Sequence, residues 1–138
     1  DIIHLHGSFN ALIPLYLKML YGEDPVFLNT KIVSSIYEKS FEGLLSKSMV
    51  KKIQFDGIEK GLDKISSPNY DALIDLMLEF SDSVILSSNK IEKSTEKIIK
   101  NSSKPVLSYK DSLDESLLMN FFSKIFPIIS IKPEFCIL

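Results

Sequence analysis

Short apolar runs alternate along the chain with segments whose apolar residues recur every three to four positions. The runs DIIHLH, KIVSSIY, SVILSS and KPVLSY predict four strands, near residues 1–6, 31–36, 83–87 and 105–107. Runs that are apolar at successive positions are typical of strands buried on both faces, which occur in parallel sheets. The apolar pattern therefore predicts a parallel sheet.

The segments between these runs predict helices. Apolar residues recur at helical spacing from Leu12 to Met19 and again within residues 70–80, so each set predicts the buried face of an amphipathic helix. Ser8 is of a residue type that caps helices, which predicts that it begins the first of these. Further helices are predicted for three segments: 46–55, 89–101, and a stretch from Asp111 or Ser112 to Phe126.

Alternation of strand and helix favours an α/β fold with right-handed crossovers and a three-layer sandwich. Such sheets bind ligands beyond the carboxyl ends of their strands. The candidate positions at those ends are His6, Gly7, Ser8, Tyr37, Glu38, Ser87, Ser88 and Asn89. An unrelated flavodoxin-like fold is a remoter alternative with the same element order.

Composition excludes several classes of protein. The chain has 138 residues and a formal net charge of −2, and all 16 of its basic residues are lysines. A nucleic-acid partner is not expected without a basic excess, and no arginine is present to clamp a phosphate. No apolar stretch approaches the ~20 residues of a membrane span, so no membrane association is expected. With one cysteine, Cys136, and no signal peptide, we expect a cytoplasmic protein.

The two histidines, His4 and His6, share one face of the first predicted strand. A metal site would need a third ligand, which only carboxylates could supply, so no metal is expected. The favoured interpretation is that His4 is a half-buried, hydrogen-bonded strand residue and that His6 borders the crevice. Neither a glycine-rich phosphate loop nor a nucleophile motif occurs, and no cofactor or catalytic residue is predicted.

Three segments resemble, in order and spacing, motifs of the bacterial glycogen synthases and plant starch synthases. The first resembles D-x-x-H-x-H-D-W-H-x-x-x-x-P-x-Y-L, and the matching residues are Asp1, His4, His6, Pro14, Tyr16 and Leu17. The second resembles K-x-V-x-T-I-H-N-x-x-Y-Q-G, with matches at Lys31, Val33, Ile36 and Gly43. The third resembles G-I-x-Y-A-D-x-V-T-T-V-S-P-x-Y, with matches at Asp82, Val84 and Ser88.

The resemblance implies a glycosyltransferase of the GT-B fold, in which two Rossmann-like domains face each other across a cleft. That family transfers glucose from ADP-glucose to an α-1,4-glucan without a metal, so both compounds are expected partners. Residues 1–126 would be the second half of the N-terminal, acceptor-side domain, and residues 127–138 a C-terminal tail. The chain also resembles the short, single-domain members of the Bacteroidetes type. By resemblance, the substrate-binding residues are His6, Gly7, Ser8, Tyr37, Glu38 and Ser88.

Departures from the family pattern leave two functions open. The D-W-H of the pattern is Gly7-Ser8-Phe9 here, the H-N pair is Tyr37-Glu38, and the donor-side domain does not fit in this length. One hypothesis is a part of a glucosyltransferase that is inactive alone. The alternative is a degenerate, non-catalytic domain that binds glucan or nucleotide sugar, or another protein. Without preceding strands, the sheet would also have an open edge, which favours self-association.

Overall fold

The computed structural model describes residues 1–126, in which a four-stranded sheet carries helices on both faces. The strands are Ile2–His6 (β1), Lys31–Ile36 (β2), Ser83–Leu86 (β3) and Val106–Leu107 (β4). They lie in the order β1-β2-β3-β4, and every neighbouring pair is parallel. The predicted α/β fold with a parallel sheet is confirmed. The predicted tail, 127–138, lies outside the described residues.

Four helices pack on one face of the sheet. They are Ile13–Leu20 (α1), Ser48–Phe55 (α2), Tyr70–Phe80 (α3) and Lys93–Asn101 (α4). α3 lies at the centre of this layer, and its Leu76 and Met77 are fully buried beside Val84 of β3. Burial of such a side chain contributes about 1.5–3 kcal/mol to the free energy of folding. The prediction of an amphipathic helix over 70–80 is confirmed to the residue.

A second layer covers the opposite face. Here Glu115–Ile125 (α6), which follows the short helix Tyr109–Ser112 (α5), places Phe121 and Phe122 against Val33 of β2 and Ile85 of β3. Val33 and Val84 belong to opposite layers because successive residues of paired strands alternate between faces. The described residues therefore form the three layers that the sequence predicts.

The predicted N-cap at Ser8 is wrong. Residues Ser8–Asn10 form a separate 3-10 turn, and α1 begins only at Ile13, with a proline in its first turn. The Ser8 hydroxyl lies 2.6 Å from that of Ser40 instead of accepting from a helix amide. Pro14 suits the first turn because its missing N–H would have no partner there.

The last predicted helix is also wrong at its start, because two caps divide it. The Ser108 hydroxyl accepts from the amide of Asp111 and begins α5, and the Asp114 carboxylate accepts from the amides of Ser116 and Leu117 and begins α6. Hydrogen bonds to the carboxylate of Asp114 lower its pKa, and the largest effect is that of the Ser116 side chain. Likewise, α4 begins later than the predicted residue 89.

Candidate functional site

The carboxyl ends of β1 and β2 bring His6 and Tyr37 together. Strand register pairs His6 with Ser35, and Tyr37 follows two residues later. His6 Nδ1 and the Tyr37 hydroxyl are 2.9 Å apart, and both side chains are exposed. The Tyr70 hydroxyl donates to the Tyr37 carbonyl at 3.2 Å, which fixes the backbone of this segment on α3. His6 and Tyr37 thus form a solvent-facing pair that can donate and accept hydrogen bonds.

Glu38 and Ser88 form a second polar pair at the ends of β2 and β3. The Ser88 hydroxyl donates to Glu38 Oε1 at 3.2 Å and accepts from the amide of Lys90 at 3.0 Å. The amide of Ser87 donates to the Ile36 carbonyl at 2.9 Å, which extends the strand pairing up to the site. Four of the six candidate residues therefore lie at the carboxyl ends of the strands, as two separate hydrogen-bonded pairs.

The 3-10 turn after β1 holds its residues in a defined arrangement. Gly7 has φ 76° and ψ 171°, a backbone region that is open essentially only to glycine. Its amide donates to the Ser35 carbonyl at 3.0 Å, and the Asn10 side chain donates to the His6 carbonyl at 2.8 Å. Ser8 is buried in the turn, whereas Phe9 is 94% exposed.

Charges around this edge are nearly balanced. Lys39 Nζ lies 2.9 Å from Glu42 and 3.6 Å from Glu92, and Lys90 Nζ lies 4.0 Å from Glu38. The hydrogen bond that Lys39 donates to the carboxylate of Glu42 is the main cause that raises the pKa of Lys39. Each of these two lysines therefore has a carboxylate partner, and the edge offers little net positive charge to an anionic ligand.

His4 lies deeper on the same face as His6. Its Nε2 is 2.7 Å from the Ser35 hydroxyl, and its ring packs edge-on to Phe122 with centroids 5.7 Å apart. Burial, and then the charge of His6, lower the pKa of His4 to about 4. The interpretation of His4 as a half-buried, hydrogen-bonded strand residue is confirmed. Within residues 1–126, no group of three or more His, Cys, Asp or Glu side chains is placed to hold a metal ion.

An open hollow of about 480 Å³ lies at the opposite edge of the sheet. It is lined by Lys31 and Asp82 at the starts of β2 and β3, together with Val106, Phe121 and Lys124. Burial raises the pKa of Asp82, but the Ile32 amide and the neighbouring lysines outweigh this effect and lower it. Asp82 is already bound by these groups, so we assign the hollow a structural role and place the candidate site at the carboxyl ends of the strands.

Sequence reasoning missed three contributors to the site. The hydroxyl of Ser40 is hydrogen-bonded to that of Ser8, and the side chain of Asn10 donates to the carbonyl of His6. Lys39 forms ion pairs with both Glu42 and Glu92. A signal for Asn10 existed, since asparagine side chains often bond the backbone of a turn. Ser40 and Lys39 lie in an irregular loop, where no periodicity indicates a partner.

A parallel α/β sheet with helices on both faces defines a Rossmann-like domain. Residues 1–102 match the family model described as "Starch synthase catalytic domain", and the chain therefore belongs to that family.

Curated relatives agree with this assignment. The chain is similar to the glycogen synthase of Pseudothermotoga lettingae, with 32% identity over 61% of this chain and 17% of that protein. The glycogen synthase of Thermodesulfovibrio yellowstonii is 30% identical over 56% of this chain and 15% of its own length. That of Koribacter versatilis is 48% identical over 32% of this chain and 9% of its own length.

The chain thus spans less than a fifth of the length of these relatives. No solved structure matches it significantly. Among residues 1–126, no helix combines the length and the apolar character needed to cross a bilayer. The cytoplasmic location expected from the sequence stays a prediction.

Proposed function

We propose that this chain is the glucan-binding, acceptor-side part of a glycogen synthase-type glucosyltransferase. Residues 1–126 correspond in this proposal to the second half of the N-terminal domain of the two-domain fold. The observation that carries it is the pairing of His6 with Tyr37 and of Glu38 with Ser88 at one edge of the sheet in a member of the starch synthase family.

This site suits a neutral carbohydrate. Sugar hydroxyls both donate and accept hydrogen bonds, as do the imidazole of His6 and the hydroxyls of Tyr37 and Ser88, while the carboxylate of Glu38 accepts them. Gly7 lets the backbone approach a ligand closely, since no atom lies within 4 Å of a β-carbon placed there. Ser8 supports the turn from inside through Ser40.

Glucan binding is tested with maltoheptaose and the isotope-labelled chain, by NMR titration. We expect shifts of the backbone signals at residues 6–9, 37–38 and 88. Tyr37→Phe removes one hydroxyl and is expected to weaken binding about fivefold. Tyr21→Phe is the matched control, because Tyr21 is also exposed but follows α1 at the opposite edge of the sheet.

Shifts confined to other surfaces, or equal affinity of Tyr37→Phe and the unmodified chain, would contradict the placement of this site. ADP-glucose is titrated in parallel. Since both lysines at this edge are paired with carboxylates, we expect ADP-glucose to bind more weakly than maltoheptaose.

We also propose that the 138-residue chain does not transfer glucose by itself. Stabilising a departing diphosphate requires positive charge, and the loss of a single such donor commonly lowers the rate by ~10²–10³. The chain contains no arginine, and Phe9 stands where the family pattern has a histidine. We expect no incorporation of labelled glucose from ADP-glucose into glycogen above a protein-free control. Incorporation that is abolished by His6→Ala would show that the chain is an enzyme.

A further inference from the structure

Phe9 is an exposed aromatic side chain on an otherwise well-anchored turn. Its side chain is 94% exposed, whereas Ser8 before it is 8% exposed and Ala11 two residues later is 1% exposed. Asn10 is fixed to the His6 carbonyl at 2.8 Å, and Ser8 is fixed to Ser40 at 2.6 Å. The fold therefore holds the Phe9 ring in solvent, so its exposure does not arise from a loose loop.

The position of Phe9 in the fold distinguishes it from other exposed apolar residues. Single exposed apolar residues are common on protein surfaces. Phe9, however, lies in the 3-10 turn that directly follows β1, three residues after His6 of the candidate site. Binding sites typically combine an apolar or aromatic surface with a few polar groups that orient the ligand. Phe9 adds a largely exposed aromatic ring to these polar groups, next to the 40% exposed ring of Tyr37 in the same site.

We propose that the Phe9 ring is a stacking platform for one glucose unit of an α-1,4-glucan. This inference rests on the proposed function and adds to it a residue that recognises the substrate. The face of an aromatic ring carries partial negative charge. One face of a glucose ring presents C–H groups, which are weakly positive and apolar, while its hydroxyls project around the rim. Stacking on Phe9 leaves those hydroxyls free to bond with His6 and Tyr37.

The surroundings of Phe9 favour glucan over a nucleotide sugar. Glucan is uncharged, and the ion pairs of Lys39 and Lys90 leave little net charge at this edge. The Phe9 ring is open to solvent, which suits a glucan that extends beyond the site in both directions. In this arrangement, an aromatic surface at position 9 supplies contact area in place of the hydrogen bonds that a histidine would make.

The test compares Phe9→Ala, Phe9→Tyr and the unmodified chain by NMR titration with maltoheptaose. Phe9→Ala is expected to weaken binding about tenfold, and Phe9→Tyr to retain it, because the ring face is kept. Phe55→Ala is the matched control, since Phe55 is 92% exposed and lies on another element, at the end of α2. In the unmodified chain, maltoheptaose should shift the ring protons of Phe9 and not those of Phe55.

The outcomes separate this inference from the proposed function. Normal affinity of folded Phe9→Ala, with unshifted Phe9 ring protons, would overturn the stacking role and leave glucan binding intact. Failure of the unmodified chain to bind maltoheptaose would overturn both. If Phe9→Ala does not fold, the ring-proton shifts of the unmodified chain decide the question.

Discussion

The imidazole of His4 shows how burial in a strand changes the chemistry of one residue. Its ring lies 4.1 Å from that of His6, centroid to centroid, and contacts Phe122 on the helical layer. Protonation there would place a charge in a poorly solvated site beside a second imidazole. The pKa of His4 is therefore lowered from 6.5 to about 4, first by burial and then by His6.

This shift predicts a loss of stability on acidification. The folded pKa of His4 lies below the unfolded value, so the unfolded state binds more protons between pH 6.5 and pH 4. The free energy of unfolding should fall by roughly 1–2 kcal/mol across this range, after allowance for solvent screening of the half-buried ring. His4→Gln, which keeps a partner for Ser35, should reduce the fall. Urea denaturation at a series of pH values measures it, and equal falls in both proteins would contradict the prediction.

At the scale of elements, Asp82 ties the starts of β2 and β3 to α1. Its Oδ2 accepts from the Ile32 amide at 2.8 Å and from Lys18 Nζ at 3.2 Å, and its Oδ1 lies 3.5 Å from Lys31 Nζ. The amide of Asp82 in turn donates to the Ile32 carbonyl at 2.8 Å. Because Ile32 is almost fully buried, water cannot readily replace the carboxylate as an acceptor.

Asp82→Ala should therefore lower the free energy of unfolding by about 2–3 kcal/mol. Asp82→Asn keeps an oxygen for the Ile32 amide and should cost clearly less. Chemical denaturation near neutral pH checks both values. Equal losses for the two variants would show that attraction to Lys18 and Lys31, and not the backbone acceptor, accounts for the effect.

Elements and caps differ in how well the sequence predicts them. The strand at 31–36 and the helix at 70–80 are confirmed because their periodicity is local and continuous. The cap at Ser8 is wrong because its partner, Ser40, lies 32 residues away and leaves no trace in the local pattern. The start of the last helix is wrong because Ser108 and Asp114 compete with Asp111 as cap residues in the same short segment.

Some contacts of the candidate site could likewise be predicted from the sequence, and others could not. The meeting of His6 with Tyr37 follows from parallel register, since residues just beyond neighbouring strands share one edge of the sheet. The ion pairs of Lys39 depend on an irregular loop, so they could be found only in the folded chain. The assignment of ligand contacts to the six candidate residues stays a prediction.

At the scale of the whole molecule, β1 is an outermost strand of the sheet within residues 1–126, so one of its sides pairs with no other strand there. The Asp1 carbonyl accepts from Lys31, and the Gly7 amide donates to Ser35. Because ladder bonds alternate along a parallel strand, the amides of Ile2 and His4 point away from β2 toward the open edge. Unpaired strand edges of this kind attract other strands.

We therefore expect the 138-residue chain to self-associate as its concentration rises, in a sedimentation experiment. Ile2→Pro removes one outward amide at the first residue of the strand, where proline is tolerated, and should weaken association. A chain that stays monomeric at high concentration, or an Ile2→Pro variant that associates equally well, would contradict a role for this edge.

The dihedral angles of Gly7 also limit which residues the turn accepts at this position. The family pattern has aspartate at this position, and a side chain at φ 76° and ψ 171° would cost about 1–3 kcal/mol. Gly7→Asp alone would therefore strain the turn on its present path. For aspartate to fit at position 7 without this strain, the backbone of the turn would have to follow a different path.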